Sequence, residues 1–406
     1  MDSGLRVAYD VCIIGAGLVG LGVGRALTET YPGIRIVVVE KEQSVAVHQS
    51  GHNSGVAHSG LYYRPGSLKA QLCVEGRRAL EQFCLEGDIP FRESGKLVIA
   101  SQSSEIPALD ELEQRGRANG LTGIRRLDAA GIREVEPDAI GVSAIHVPEA
   151  GVVDFPGVAA RLAEVLVRTG SEIRLGSGVD SIALDTSGAR IRAGDDEIRT
   201  RVVVNCAGLQ SDRVAALAGV HTDVRIVPFR GEYYTLAPEA QHLVRALIYP
   251  VPDPRFPFLG VHFTRRIDDR VEVGPNAVLA LGREHYRGTS PDWAEVRETL
   301  GLPGFRRLAR KYWRTGASEM LRSRSRSRYA RSARVLVPGV RPQDLIPGGA
   351  GVRAQAVAPD GRLLDDFVIE ESGSSVHVLN APSPGATSSL AIGAHIARVV
   401  ARHLEE

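Results

Sequence analysis

Three glycines near the start of the chain have the spacing of a dinucleotide-binding turn. Gly15, Gly17 and Gly20 form GxGxxG directly after the apolar residues 11–14. In this motif the first glycine permits a tight turn, the second lets the backbone approach a pyrophosphate, and the third lets helix and strand pack closely. Glu40 would accept hydrogen bonds from ribose hydroxyls, and its charge disfavours a 2′-phosphate. The pattern predicts binding of FAD or NAD and argues against NADP.

A second apolar segment supports this prediction. VVVNCAGLQSD, residues 202–212, follows several short predicted strands and contains Gly208 directly after an alanine. In two-lobed flavoproteins such a strand returns to the nucleotide domain, with its glycine close to the cofactor. A plain strand that ends in a glycine turn is the alternative.

The loop after the second predicted strand is crowded with ionisable side chains. Residues 48–73, HQSGHNSGVAHSGLYYRPGSLKAQLC, hold three histidines, two tyrosines, one lysine and four glycines. His48 and His52 have a four-residue spacing that suits metal ligands on one helix face. Gly51 lies between them, with no cysteine or carboxylate partner nearby in the sequence, so we predict no metal.

The surrounding elements would hold these residues in place. Residues 9–41 predict strand, Gly-rich turn, helix over 18–30, and strand over 34–39, which is a βαβ unit. GKLVIA predicts a strand, and SSEIPALDELEQRGRANG predicts an amphipathic helix. A further helix should begin after Asp154 and end at Gly170, and a last helix should follow the loop around Gly385.

Composition limits the class of protein. A chain of 406 residues should form two or three domains, and its net charge of +1 gives no general attraction to nucleic acid or membranes. The four cysteines lack CxxC spacing, so we expect them to be reduced. We find no signal segment and no uncharged apolar run of about 18 residues, and therefore expect a cytoplasmic protein.

One segment has a strong charge bias. Residues 322–334, RSRSRSRYARSAR, contain six arginines and no acid. A solvated helix face explains this pattern better than a nucleic-acid site, and we expect no nucleic-acid partner. Peripheral contact with the inner face of a membrane stays open.

Several long motifs together resemble one family. They are HNSGVAHSGLYYRPGSLKA, NCAGL, GVHFTR, GPNAVLA, GGAGVRAQAV and NAPSPGATSSLAIG. The chain is similar through them to the L-2-hydroxyglutarate dehydrogenase/oxidase family, within the D-amino-acid-oxidase-like FAD oxidoreductases. The similarity covers nearly the whole chain and is weakest between about residues 100 and 145 and across the arginine run. It implies oxidation of L-2-hydroxyglutarate to 2-oxoglutarate, with FAD as the hydride acceptor.

The resemblance also implies a fold. We expect an α/β protein with a Rossmann-like FAD-binding domain and a second α+β substrate domain built on a mixed sheet. The FAD-binding domain should comprise residues 1–90, 147–223 and 338–406. The substrate domain should comprise residues 91–146 and 224–337, with the active site between the domains at the flavin ring.

Oxidising an alcohol beside a carboxylate needs a hydride acceptor, a base for the hydroxyl proton, and cations for the carboxylates. His262, on a predicted strand, is the predicted base because imidazole has a suitable pKa, and His58 is its rival. Arg265 and Arg353 are the predicted carboxylate anchors, since guanidinium forks bind carboxylates in a bidentate way. A structural role is the alternative for each.

Further residues are predicted to line the site. Side chains expected to bind a carboxylate or shape the pocket are Tyr62, Tyr63 and Lys69. Residues expected beside FAD, in addition to the GxGxxG turn and Glu40, are His52, Ser54, Gly55, Gly208, Gly349, Gly351, Val352, Gly385, Thr387 and Ser388. The helix after Gly385 would place its N-terminus where negative charge develops on the reduced ring. We expect non-covalent FAD, and attachment through His52 or His58 is an alternative that no residue requires.

Other functions remain open at this stage. The same fold oxidises other 2-hydroxy acids, amino acids or glycerol 3-phosphate, although two arginines and a lysine suit a dicarboxylate better. An NAD-dependent dehydrogenase shares the first motif but would not need the predicted Gly-rich loops PGGAGVRAQA and PSPGATSS. A non-enzymatic module could use the arginine run to contact nucleic acid. The electron acceptor, whether oxygen, a quinone or a carrier protein, is not specified by the sequence.

Overall fold

The computed structural model describes residues 9–253, 259–286, 291–323 and 325–405. The helices are α1 (Leu18–Thr30), α2 (Leu68–Glu86), α3 (Ile106–Ala118), α4 (Ala129–Val135), α5 (Phe155–Arg168), α6 (Ser211–Leu217), α7 (Trp293–Gly301), α8 (Pro303–Ser323), α9 (Arg326–Ala333) and α10 (Ser389–Glu405). The strands are β1 (Tyr9–Ile14), β2 (Ile36–Val39), β3 (Val56–Ala57), β4 (Phe91–Glu93), β5 (Lys96–Ala100), β6 (Arg125–Asp128), β7 (Ser143–Val147), β8 (Gly151–Val153), β9 (Glu172–Arg174), β10 (Val179–Asp185), β11 (Gly188–Ala193), β12 (Asp196–Asn205), β13 (Arg225–Leu236), β14 (Leu247–Pro250), β15 (His262–Arg265), β16 (Val271–Gly274), β17 (Val278–Leu279), β18 (Leu345–Val357), β19 (Val368–Ser372) and β20 (Ser375–Asn380).

The first sheet carries the predicted βαβ unit. Its strand order is β10-β11-β12-β1-β2-β9, with β20 added beside β12, and β1 is parallel to β2 and β12. Both faces are covered, because Val11 and Ile13 pack into one core with α1, α5 and α10 while Cys12 and Ile14 pack into another. Burial on both faces explains why the second half of β1 and all of β2 have apolar residues at consecutive positions, without the usual alternation.

The second sheet is mixed, as expected. Its order is β17-β13-β16-β15-β14-β5-β7-β6, and β18 pairs with β13. β5 is parallel to β14 and antiparallel to β7. A small third sheet, β3-β8-β4, lies at the connections between the two large sheets.

One segment differs from its predicted conformation and placement. PGGAGVRAQA is predicted to be a Gly-rich loop within the FAD-binding range 338–406, yet it lies in β18, a strand of the second sheet. It pairs antiparallel with β13 from Arg225↔Val357 to Leu236↔Leu345. Its glycines and alanines hide the alternation of side chains that normally indicates a strand, so long-range pairing decides its conformation.

Other predicted elements are confirmed. α1 has the predicted bounds of 18–30, α5 begins directly after Asp154, and α10 follows the loop around Gly385. The arginine run enters α9, which buries Tyr329, Ala330 and Ala333 and leaves its arginines outward, and Arg324 lies outside the described residues. In the stretches that the structure describes, no helix is both long and apolar enough to cross a membrane.

Candidate active site

The GxGxxG turn lies at the carboxyl end of β1, as the motif predicts. Gly15 has φ +106°, and a Cβ added there would lie 2.6 Å from the carbonyl oxygen of Cys206. A Cβ on Gly20 would lie 2.1 Å from the Gly15 oxygen, so Gly20 packs α1 against β1 and does not face the cavity. Glu40 accepts hydrogen bonds from the amides of Ala16 (2.8 Å) and Glu42 (3.0 Å), which fixes its carboxylate beside the turn.

A cavity of about 1330 Å³ extends from this turn to the space between the two large sheets. Pockets for a single small molecule usually measure about 300–1,000 Å³, so this volume leaves room for a cofactor and a substrate together. The predicted site residues that line it are Gly15, Gly17, Glu40, His52, Ser54, His58, Tyr62, Tyr63, Lys69, Gly208, His262, Gly351, Val352, Arg353, Gly385 and Thr387.

Some predicted residues lie elsewhere. Arg265 points away from the cavity, and its guanidinium donates to the carbonyl oxygens of Gln241, Val244 and Asp269 at 2.6–3.0 Å. Those bonds tie down the chain within the second lobe, so we remove Arg265 from the candidate carboxylate anchors. Gly55, Gly349 and Ser388 are likewise absent from the cavity lining among the described residues.

His262 lies on β15 with its ring buried. Its Nδ1 is 2.8 Å from the carbonyl oxygen of Gly260, and since a carbonyl only accepts, Nδ1 carries the proton and Nε2 keeps its lone pair. The ring stacks on Tyr249 with centroids 4.0 Å apart. Burial lowers the pKa of His262 to about 3, and the charges of Lys96 and Arg353 act in the same direction. The imidazole is therefore neutral at ordinary pH.

His58 faces the same cavity from the loop between β3 and α2. Its Nε2 lies 3.4 Å from the Ser383 hydroxyl, while its buried Nδ1 has no hydrogen-bond partner within the part of the chain described. Burial first, and then the charge of Lys96, hold the pKa of His58 well below its usual value. Both candidate bases are thus uncharged, and only the His262 ring is oriented by a hydrogen bond from Nδ1.

Two of the predicted cations lie at the cavity with other groups. Arg353 lines the cavity from β18, as Tyr233 does from β13. Lys69 donates to the carbonyl oxygen of Asp365 at 2.6 Å, and its ammonium lies 5.1 Å from the centre of the Tyr63 ring. Arg353 therefore supplies a guanidinium at the cavity, and the Lys69 ammonium is held by the Asp365 carbonyl.

Three residues of the site were missed by the sequence analysis. Tyr233 and Tyr249 line the cavity from β13 and β14, and Lys96 lies behind Tyr249 on β5. Nothing in the sequence distinguishes these tyrosines from others in strands. Lys96 did carry a signal, since GKLVIA places a lysine at the start of an otherwise apolar strand.

The histidine pair considered for a metal occupies a different environment from the one expected. His48 does have carboxylate partners, contrary to the prediction, since Glu42, His48 and Glu284 place ligand atoms within 4.8 Å of one another and Glu42 lies six residues before His48. The Lys41 ammonium contacts all three, at 3.0 Å from His48 and 2.9 Å from Glu284, and it also bonds Glu42. Lys41 therefore supplies the positive charge that this cluster balances. His52 instead packs on the Tyr286 ring.

Comparison with known proteins identifies relatives of this chain. The family model described as FAD dependent oxidoreductase matches residues 10–399. L-2-hydroxyglutarate dehydrogenase of Indibacter alkaliphilus is 48% identical over 95% of this chain and 97% of the relative, and that of Escherichia coli K12 is 43% identical over 96% and 92%.

Solved structures show the same fold at low identity. The FAD-bound, dithionite-reduced L-alpha-glycerophosphate oxidase of Mycoplasma pneumoniae superposes with a TM-score of 0.78 at 21% identity, covering 98% of this chain and 95% of that one. Glycine oxidase of Geobacillus kaustophilus gives a TM-score of 0.72 at 20% identity, covering 97% and 95%.

FAD fits the residues present. The turn at Gly15 leaves no room for a side chain, the N-terminus of α1 lies directly after it, and Glu40 accepts from the Ala16 amide beside it. The cofactor is FAD, the enzyme is a dehydrogenase that acts on a CH–OH group, and the chain belongs to the L-2-hydroxyglutarate dehydrogenase family of FAD dependent oxidoreductases.

Proposed function

We propose that this protein oxidises L-2-hydroxyglutarate to 2-oxoglutarate. The observation that carries the proposal is the neutral, oriented imidazole of His262, which shares one cavity with Arg353 and with the FAD-binding turn. The relatives named L-2-hydroxyglutarate dehydrogenase point to the same substrate. When bound, FAD would supply the hydride acceptor.

His262 is proposed as the general base. Nε2 would accept the proton of the C2 hydroxyl, because Nδ1 is held as a donor by Gly260. The imidazolium that forms is disfavoured by burial, and the carboxylates of the bound substrate would offset this cost. His58 is the alternative base, and its unpartnered Nδ1 could take the same proton.

Arg353 is proposed to bind the carboxylate next to the reacting carbon. Its guanidinium provides paired donors, and both Arg353 and Tyr233 line the cavity. The rings of Tyr62 and Tyr63 would form an apolar wall of the substrate site. The Tyr62 hydroxyl would add a polar group to that wall, since it is buried without a partner among the described residues. Together these groups would orient C2 toward Nε2 of His262.

The other predicted residues that line the cavity are proposed to contact FAD. Glu40 would accept from the ribose, and His52, Ser54, Gly208, Gly351 and Val352 would lie along the cofactor. The Thr387 hydroxyl accepts a hydrogen bond from the His58 amide at 3.1 Å, which joins the loop after β3 to the loop before α10. The helix α10 begins two residues after Thr387. We propose non-covalent binding, with the N-terminus of α10 near the flavin ring.

We further propose a quinone in an anionic membrane as the electron acceptor. α8 exposes Trp313, Met320 and Leu321 among arginines, and the same helix lines the cavity with Leu308 and Tyr312. A helix with exposed apolar side chains and arginines suits the surface of an anionic bilayer. Because anionic lipid is concentrated in the cytoplasmic leaflet, the proposal places the protein in the cytoplasm at that face.

Product analysis tests the proposed reaction. The purified protein is incubated with L-2-hydroxyglutarate and a soluble dye that accepts two electrons, and the amount of 2-oxoglutarate formed is compared with the amount of dye reduced. We expect equal amounts of both, with no product from the D form. Turnover of glycerol 3-phosphate or an amino acid with none of L-2-hydroxyglutarate would contradict the proposal.

A further inference from the structure

Lys96 is a buried lysine that has no acidic partner. Only 1% of the residue is exposed, and within the described ranges its ammonium makes no hydrogen bond or ion pair. The groups around it are aromatic: the ammonium lies 4.3 Å from the centre of the Tyr249 ring and 5.1 Å from that of Tyr62. A desolvated charge is costly unless it is paired, and accordingly burial lowers the pKa of Lys96 to about 8.

The sheet register places this lysine next to the active site. Lys96 pairs with Leu247, and Val98, two residues on, pairs with Tyr249, so Lys96 and Tyr249 lie on one face of the sheet. The neighbouring strand places His262 against Tyr249, whose ring it stacks on. The charge of Lys96 also contributes to the lowered pKa of both His58 and His262. The ammonium thus lies one aromatic ring from the candidate base.

The use of lysine in this chain makes Lys96 more unusual. Only four of the 49 basic residues are lysines, namely Lys41, Lys69, Lys96 and Lys311. Lys41 bonds Glu42 and Glu284, Lys69 donates to the Asp365 carbonyl, and Lys311 is exposed. Of these four, Lys96 alone combines complete burial with three N–H donors that lack an oxygen acceptor.

We infer that Lys96 binds the second carboxylate of the substrate, the one remote from the reacting carbon. The inference rests on the proposed function and deepens it. Arg353 would hold the C1 carboxylate, and the C5 carboxylate would enter between Tyr62 and Tyr249 and supply the acceptor that the ammonium lacks. A substrate without that carboxylate would leave the charge unpaired, so Lys96 selects dicarboxylates.

The first test compares two substrates of the same carbon count. L-2-hydroxypentanoate has a methyl group where L-2-hydroxyglutarate has its C5 carboxylate. We expect Lys96→Met to lower kcat/KM for L-2-hydroxyglutarate by about 100-fold or more, because a site built for a polar group discriminates by such factors. The value for L-2-hydroxypentanoate should change little. Arg133→Met removes an exposed positive charge from α4 and should preserve the full preference.

Each outcome of this comparison has a separate meaning. If Lys96→Met retains FAD and lowers kcat/KM equally for both substrates, Lys96 has only a structural role and the inference is overturned. If the unsubstituted enzyme does not oxidise L-2-hydroxyglutarate at all, the proposed function itself fails.

A second test uses the unsubstituted holoenzyme and does not depend on folding of a variant. Lysines are acetylated with acetic anhydride, and the rate at each of the four is read by peptide mass spectrometry. Glutarate should slow modification of Lys96 at least several-fold, and butyrate should not. Equal labelling of Lys96 with and without glutarate would overturn the inference.

Discussion

The rings of His262 and Tyr249 stack on neighbouring strands, with centroids 4.0 Å apart. The stack and the bond from Nδ1 to Gly260 together orient Nε2 of His262 before substrate arrives. Preorganisation of this kind reduces the cost of positioning a base during the reaction.

Removing the base should affect chemistry and spare cofactor binding. We expect His262→Ala to lower the anaerobic rate of flavin reduction by about 10²–10⁴-fold, the usual contribution of a positioned base, with FAD content unchanged. Rapid-mixing absorbance measures the rate. His58→Ala serves as the matched variant, and an unaltered rate in His262→Ala with a large loss in His58→Ala would transfer the role to His58.

The low pKa of His262 predicts an unusual dependence of the reaction rate on pH. Because burial lowers its pKa to about 3, the free enzyme keeps a neutral base at all pH values above that, and kcat/KM should stay flat from pH 7 to pH 5. Bound carboxylates favour the imidazolium, so the acidic decline in kcat should occur at higher pH than that in kcat/KM. A decline in kcat/KM centred near pH 6.5 would contradict this assignment.

The two arginines predicted to bind substrate carboxylates should respond differently to substitution. Arg353→Lys keeps the charge and removes the fork, so KM for L-2-hydroxyglutarate should rise about tenfold or more. Arg265→Lys is the control, because Arg265 bonds carbonyl groups away from the cavity, and it should leave KM unchanged. Steady-state kinetics with a soluble dye measure both, and similar KM values in the two variants would count against Arg353 as an anchor.

The ribose contact can be tested through cofactor affinity. Glu40→Gln keeps the side-chain size and removes the charge, and a hydrogen bond to a charged group contributes about 1.5–3 kcal/mol. The Kd for FAD should therefore rise roughly 10–100-fold. Fluorescence titration of the apoprotein measures it, and retention of full affinity would show that Glu40 serves only the Ala16 and Glu42 amides.

The surface of α8 predicts lipid-dependent binding. The protein should sediment with vesicles that contain phosphatidylglycerol and less with neutral vesicles, and added salt should weaken binding. Trp313→Ser combined with Leu321→Ser should reduce sedimentation because both side chains are exposed. Equal sedimentation of the parent and the double variant would remove α8 as the contact.

Much of the fold followed from local signals. The GxGxxG turn, the apolar strand before it and α1 are adjacent in sequence, so spacing and composition alone specify them. Likewise α5 begins after Asp154 with a proline in its first turn. His262 was also expected on a strand, and it is the first residue of β15.

Features that depend on distant pairing could not be predicted in this way. β18 is a strand only because β13, more than a hundred residues earlier, pairs with it. Arg265 and His262 lie three residues apart on one strand and therefore point to opposite faces, which takes Arg265 out of the cavity. Lys96 meets Tyr249 through the β5–β14 pairing, a contact between segments that no local motif connects.

The most direct test of the proposed reaction is the visible absorption spectrum of the purified protein without oxygen, recorded before and after L-2-hydroxyglutarate is added. We predict a flavin spectrum that bleaches with the L form and stays unchanged with the D form or an amino acid. A flavin that remains oxidised with L-2-hydroxyglutarate would contradict the proposed reaction.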